Sequence, residues 1–124
     1  MRLLLDSHAA LWALRDVPRL SEAARTEIVD PDNDVFVSAA SLWEIGIKRN
    51  LGKLKAPDDL PIRLAARGFV ELPVTGRHAW IAGALPLHHN DPFDRLLVAQ
   101  AQNEHLVLLT ADRRLAAYGV ATLW

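Results

Sequence analysis

Asp6, Glu44, Asp94 and Asp112 each stand where a carboxylate can turn toward one shared point. Asp6 ends the apolar run Leu3-Leu4-Leu5. Asp112 follows Leu106-Val107-Leu108-Leu109, within Thr110-Ala111-Asp112-Arg113. Glu44 lies in Ala40-Ser41-Leu42-Trp43-Glu44-Ile45-Gly46-Ile47, and Asp94 in Asp91-Pro92-Phe93-Asp94-Arg95. Carboxylates gathered without an obligatory histidine or cysteine make an all-oxygen donor set, suited to Mg²⁺ or Mn²⁺. Two carboxylates about 4 Å apart repel by about 4 kcal/mol at an effective dielectric of roughly 20. Such a cluster needs protons, basic partners or a cation. A divalent cation would also lower the pKa of a water and stabilise charge on a phosphate oxygen. On this basis Asp112→Asn is expected to relieve repulsion in the metal-free protein and to weaken its response to metal.

Each acid also has a local explanation. Asp6, Asp91 and Asp112 precede predicted helices, where aspartate is a favoured N-cap. Asp91 and Asp94 with Pro92 between them read as a capping box, and capping is the preferred role of Asp91. Glu44 precedes Lys48 by one turn, a favourable exposed pair. It also shares a helix face with Ala40, Ile47 and Leu51, and an acid on an apolar stripe points partly inward. Ser7, Ser38, Ser41 and Thr110 read first as caps. Ser7 and Thr110 could also hydrogen-bond a metal-bound water. His88 and His89 fall in a proline-bounded loop without a matched third ligand, so a loop role is expected for them, not a zinc site. Trp12 and Trp43 are expected in the core. The chain has no GxSxG, P-loop or GxGxxG motif.

The elements that must position these residues alternate. Arg2 to Leu5, Val35 to Val37, Phe69 to Val74 and Leu106 to Leu109 read as strands, with Val120 to Leu123 as a last edge strand. Helices are predicted over Ser7 to Arg15, from Ser21 to about Val29, and from Ser38 to Leu51 with Gly52 as the stop. Further helices run from the Pro57–Pro61 region to Gly68, from Thr75 to Leu85, from Asp91 to about His105, and from Asp112 to Tyr118. Alternation of this kind predicts an α/β fold with a mostly parallel sheet. In open parallel sheets, ligands collect outside the carboxyl ends of the strands at the switch point. Two of the four acids directly follow predicted strands.

The 124 residues fit one domain, 1–124, and 51% are hydrophobic, enough for a core without staples. The absence of cysteine excludes disulfides, thiolate metal sites and cysteine nucleophiles. No stretch is long enough for a membrane span, and the opening apolar run is too short for a signal peptide, so a cytoplasmic location with no membrane contact is expected. A formal net charge of −1 argues against a basic nucleic-acid coat. Local basic patches remain: Lys48, Arg49, Lys53 and Lys55, then Arg95, then Arg113 and Arg114.

Taken together, several segments resemble PIN-domain ribonucleases, specifically VapC-type toxins of toxin–antitoxin pairs. They are Leu4-Leu5-Asp6-Ser7-His8 with Leu11-Trp12, then Ser38-Ala39-Ala40-Ser41-Leu42-Trp43-Glu44-Ile45, then Leu51-Gly52-Lys53-Leu54. The run from His88 to Ala101 and Leu109-Thr110-Ala111-Asp112-Arg113 complete the set. Each motif is weak alone, but their order and spacing are specific and cover the whole chain. The resemblance implies a three-layer α/β/α sandwich with a mostly parallel sheet of four to five strands. It implies Mg²⁺- or Mn²⁺-dependent hydrolysis of RNA, with Asp6, Glu44, Asp94 and Asp112 as catalytic and metal-binding acids. It also implies a homodimer and a neutralising antitoxin. Arg95 and Arg113 are then expected phosphate contacts. Ser7 stands where the family pattern has threonine, and Asn90 where a basic residue is common. Two other classes compete: a non-catalytic PIN-like module that binds RNA or a partner, and a phospho-receiver domain. A receiver needs a lysine after a late strand, and no lysine follows Lys55.

Overall fold

The computed structural model describes all 124 residues, Met1–Trp124. Its strands are β1 (Arg2–Leu5), β2 (Asp34–Ser38), β3 (Val70–Leu72), β4 (Val107–Leu109) and β5 (Thr122–Leu123). Its helices are α1 (Ser7–Arg15), α2 (Glu22–Val29), α3 (Ala39–Asn50), α4 (Leu60–Ala66), α5 (Gly76–Ala84) and α6 (Pro92–Glu104). The predicted helix after β4 is a tighter 3-10 turn, Arg113–Tyr118, ended by Gly119 at φ 77°. All five strands are parallel, in the order β3-β2-β1-β4-β5. The chain winds outward from β1 to β3, then returns to lay β4 on the other side of β1. The switch point therefore lies between the carboxyl ends of β1 and β4.

Alternation along the strands divides the core. Leu3 and Leu5 of β1, with Val35 and Val37 of β2, face α1, α2 and α4, where Ala9, Ala10, Ala24, Leu60 and Leu64 are buried. Leu4 and Leu108 face the other way, onto Leu97, Val98 and Ala101 of α6 and Leu115 of the 3-10 turn. Successive strand side chains point to opposite faces, so a run of three leucines serves both layers. The result is the expected three-layer α/β/α sandwich.

The aromatic expectations divide. Trp12 packs against the core, with its ring 5.3 Å from His8 and 5.7 Å from Trp124. Trp43 does not. It is 66% exposed and stands edge-on to Phe93 at 5.3 Å. The phase of α3 explains this. Its buried residues are Ala40, Ser41, Glu44 and Ile45, which turns Trp43, Ile47 and Leu51 toward solvent. Glu44 thus faces inward as expected, but not on a stripe with Ile47 and Leu51.

Candidate active site

Four elements deliver the four acids. Asp6 leaves the end of β1, Glu44 projects from the middle of α3, Asp94 sits in the first turn of α6, and Asp112 opens the 3-10 turn after β4. Capping and clustering prove compatible, because the two carboxylate oxygens divide the work. Asp6 Oδ1 accepts the Ala9 N–H at 2.8 Å, while Oδ2 accepts from the Thr110 hydroxyl at 2.6 Å. Asp112 Oδ1 accepts the Arg114 N–H at 3.0 Å and shares the Arg114 side chain with Oδ2, which alone faces His89. Asp91 is a cap, as preferred: its Oδ1 accepts from the N–H groups of Phe93 and Asp94.

Hydroxyls hold two of the acids. Ser7 donates to Glu44 Oε1 at 2.5 Å, and Glu44 Oε2 takes Lys48 Nζ at 2.8 Å. The Glu44–Lys48 pair is therefore real, but Glu44 is only 5% exposed, and a buried serine holds its other oxygen. Thr110 bridges two acids, since its Oγ1 also accepts the Asp112 N–H at 3.1 Å.

The charges are unevenly balanced. Arg114 grips Asp112 with two nitrogens, at 3.0 and 2.8 Å. That grip holds the Asp112 carboxyl well below the usual carboxylate range. Asp94 has no lysine or arginine partner. Burial, then the neighbouring charges of Asp91 and Glu44, push it up to about 7, and Asp6 adds to the same effect. Burial likewise raises Asp6, with a smaller contribution from Glu44. Asp6, Glu44 and Asp94 thus sense one another's charge.

One histidine joins the remaining acid to this group. His89 Nε2 lies 3.0 Å from Asp112 Oδ2 and 3.4 Å from Asp94 Oδ2. The residue is 8% exposed. The loop role expected for it falls short: the loop turns His89 into the acid cluster. Its partner Asp112 is 23 residues away in sequence. The available signal was local, because a histidine just ahead of a capped helix start can accept the N–H of Asp91.

The two expected phosphate contacts differ. Arg95 donates to the carbonyl oxygens of Ala82, Leu85 and Pro86 at 2.8 to 3.0 Å. It braces the loop that carries His89, a geometry unlike that of a phosphate contact. Arg113 is exposed, one residue from Asp112. Arg114, not Arg113, is the arginine that pairs with Asp112.

A parallel α/β/α sandwich with acids converging at its switch point places the chain in a known class. It belongs to the PIN domain family, whose model matches residues 3–121. Among characterised proteins it resembles ribonuclease VapC22 of Mycobacterium tuberculosis, with 32% identity over 118 residues, 93% of this chain and 90% of that protein. Among solved structures, the VapBC2 complex of Rickettsia felis bound to a promoter DNA fragment superposes with a TM-score of 0.70 at 14% identity, over 99% of this chain and 98% of that one. A toxin–antitoxin complex from Klebsiella pneumoniae gives a TM-score of 0.65 at 20% identity, over 98% and 96%. At those identities the structures establish the shared fold.

Proposed function

We propose that this protein is a Mg²⁺- or Mn²⁺-dependent ribonuclease of the toxin type, controlled by an antitoxin protein. One observation carries the proposal. Asp6 and Asp94 are linked to Asp112 through Thr110 and His89 and have no lysine or arginine partner, whereas Glu44 and Asp112 each have one. Two buried or half-buried acids beside further acids leave negative charge that a hard cation would balance. The proposed donor set of Asp6, Glu44, Asp94 and Asp112 is all oxygen, the chemistry such an ion prefers. When bound, the cation supplies Lewis acidity toward a water and a phosphodiester oxygen.

The chain's own groups prepare that chemistry. Thr110 fixes Asp6 and the backbone of Asp112 together, so the ends of β1 and β4 keep one spacing. Ser7 fixes Glu44 from below, and Lys48 limits its motion from the solvent side. Arg113, exposed beside Asp112, is the candidate phosphate contact. RNA is the proposed substrate because the relative at 32% identity is a ribonuclease.

The partner follows from the relatives and the surface. VapBC2 and the Klebsiella pneumoniae complex share this fold. Here Trp43, Trp80 and Leu87 are 66%, 85% and 80% exposed, large apolar groups available to a second copy or to an antitoxin. A basic antitoxin side chain entering the cluster would neutralise Asp6 and Asp94 in place of the cation.

The test is direct. Purified protein should cleave cellular RNA with Mg²⁺ or Mn²⁺, stop with chelator, and lose activity in Asp94→Asn with the fold retained by circular dichroism. Equal cleavage by wild type and variant would trace the activity to a contaminant.

A further inference from the structure

Every polar atom of His89 has a partner. Its backbone N–H donates to the Tyr118 hydroxyl at 2.9 Å. Its carbonyl accepts from Arg95 and from Tyr118, both at 3.4 Å. Its ring Nδ1 accepts the Asp91 N–H at 3.0 Å. A backbone N–H can only donate, so Nδ1 must present a lone pair. In the neutral ring the proton then belongs to Nε2, the tautomer being fixed by the bond the other nitrogen makes. Nε2 faces Asp112 Oδ2 at 3.0 Å and Asp94 Oδ2 at 3.4 Å.

By distance alone the group looks like a cation site. One ligand atom from each of His89, Asp94 and Asp112 falls within 4.8 Å of the others. The hydrogen bonds oppose that use of the ring. For Nε2 to ligate a cation, its proton would have to leave or move to Nδ1. A proton on Nδ1 would face the Asp91 N–H, donor against donor, in a site 8% exposed.

We propose that His89 is a positioning residue that never touches the cation. Its single Nε2–H is directed at Asp112 Oδ2, with Asp94 Oδ2 beside it at 3.4 Å, and so sets the spacing of two acids carried by different elements. Arg95 and Tyr118 act through it, by fixing the loop from which the ring projects. The assignment rests on the proposed cation-dependent ribonuclease. It adds that the ion sees oxygen only, and that the acid pair is spaced by a donor and not by shared metal ligation. Partners of this kind, one bond removed from the ion, typically change metal affinity by about 10–100-fold when removed.

The experiment uses the full chain. Long-range ¹⁵N–¹H correlation spectra of the metal-free protein report which His89 nitrogen carries the proton, and the same spectra are taken with Mg²⁺. Mn²⁺ affinity is measured for wild type, His89→Ala and His89→Gln, the last of which can place an amide donor near Nε2. The expected result is an Nε2–H ring with and without Mg²⁺, Mn²⁺ affinity about 10-fold weaker or worse in His89→Ala, and substantial recovery in His89→Gln. Electron-nuclear spectra of bound Mn²⁺ should lack a directly coordinated imidazole nitrogen. A proton on Nδ1, loss of the Nε2 proton on adding Mg²⁺, an imidazole coupling to Mn²⁺, or wild-type affinity in His89→Ala would each overturn the positioning role. These outcomes differ from failure of the ribonuclease proposal, in which wild type binds neither ion while the metal-free spectra still decide the tautomer.

Discussion

The Thr110 hydroxyl donates to Asp6 Oδ2 at 2.6 Å across a sequence separation of 104 residues. It closes the gap between the ends of β1 and β4, and it also accepts the Asp112 N–H. Thr110→Val keeps the shape and removes both bonds. The buried Asp6 carboxylate then loses its only side-chain donor. The expected cost is about 1–3 kcal/mol in urea melts, with cleavage lost alongside. Thr110→Ser should restore most of both. A Thr110→Val protein as stable and active as wild type would show that the bridge is incidental.

Neutralising different acids should have opposite effects on the metal-free protein. Asp94 is crowded by charge, so Asp94→Asn should raise the melting temperature in chelator. Asp112 is gripped by Arg114 and His89, so Asp112→Asn should lower it. This reverses the sequence-based expectation for Asp112, which treated all four acids as equally repelled. Both variants should lose part of the Mn²⁺-induced rise. For wild type that rise corresponds to about 2.7 kcal/mol at roughly 100 times the dissociation constant. Thermal melts with chelator and with Mn²⁺ separate these cases.

The pH dependence follows from the same imbalance. Asp94 is raised from 3.8 to about 7, so between those values the folded protein holds a proton that the unfolded chain has released. Its contribution to stability is full below pH 3.8 and lost as pH rises through about 7. Asp112 is depressed, so its contribution is present above 3.8 and lost as pH falls below that value. Urea melts of metal-free wild type should therefore weaken between pH 4 and 7.5, and Asp94→Asn should flatten that slope. An identical slope in the variant would assign the effect to another group.

Glu44 has two holders of different character. Lys48 is more than a third exposed, and Lys48→Ala should cost less than about 1 kcal/mol and leave cleavage measurable. Glu44→Gln should suppress cleavage. Activity retained in Glu44→Gln would reduce Glu44 to a structural partner of Ser7 and Lys48.

Arg95 provides a test of bracing. Arg95→Ala removes the donor to four carbonyl oxygens and loosens the His89 loop, at an expected cost of about 2 kcal/mol. Arg95→Lys should recover little, because one ammonium cannot reproduce a planar fork of donors. Salt-dependent RNA affinity should change more in Arg113→Ala than in Arg95→Lys.

The sheet was legible because its strands are short apolar runs between turn residues, and because helices alternate with them. The four acids were legible as candidates because Asp6 and Asp112 cap helices that follow strands, Asp94 sits in the first turn of another, and Glu44 sits on a helix face. What escaped depends on rotation about helices and on long-range loops. A one-residue difference in the phase of α3 separates a buried Trp43 from the exposed one observed. Arg113 and Arg114 are indistinguishable in a string, yet only Arg114 bends back to Asp112. His89 meets Asp112 only after the chain has folded across 23 residues.

Strand order also sets a schedule for synthesis. β1 is made before the other four strands but lies in the middle of the sheet, and its β4 neighbour comes from residues 107–109. Asp6 therefore waits for Thr110, and the acid cluster waits for Asp112, until the segment that follows β4 has left the ribosome. Contacts this distant in sequence form late in folding. A nascent chain would thus carry all the parts of a nuclease past the translation machinery before the parts are joined.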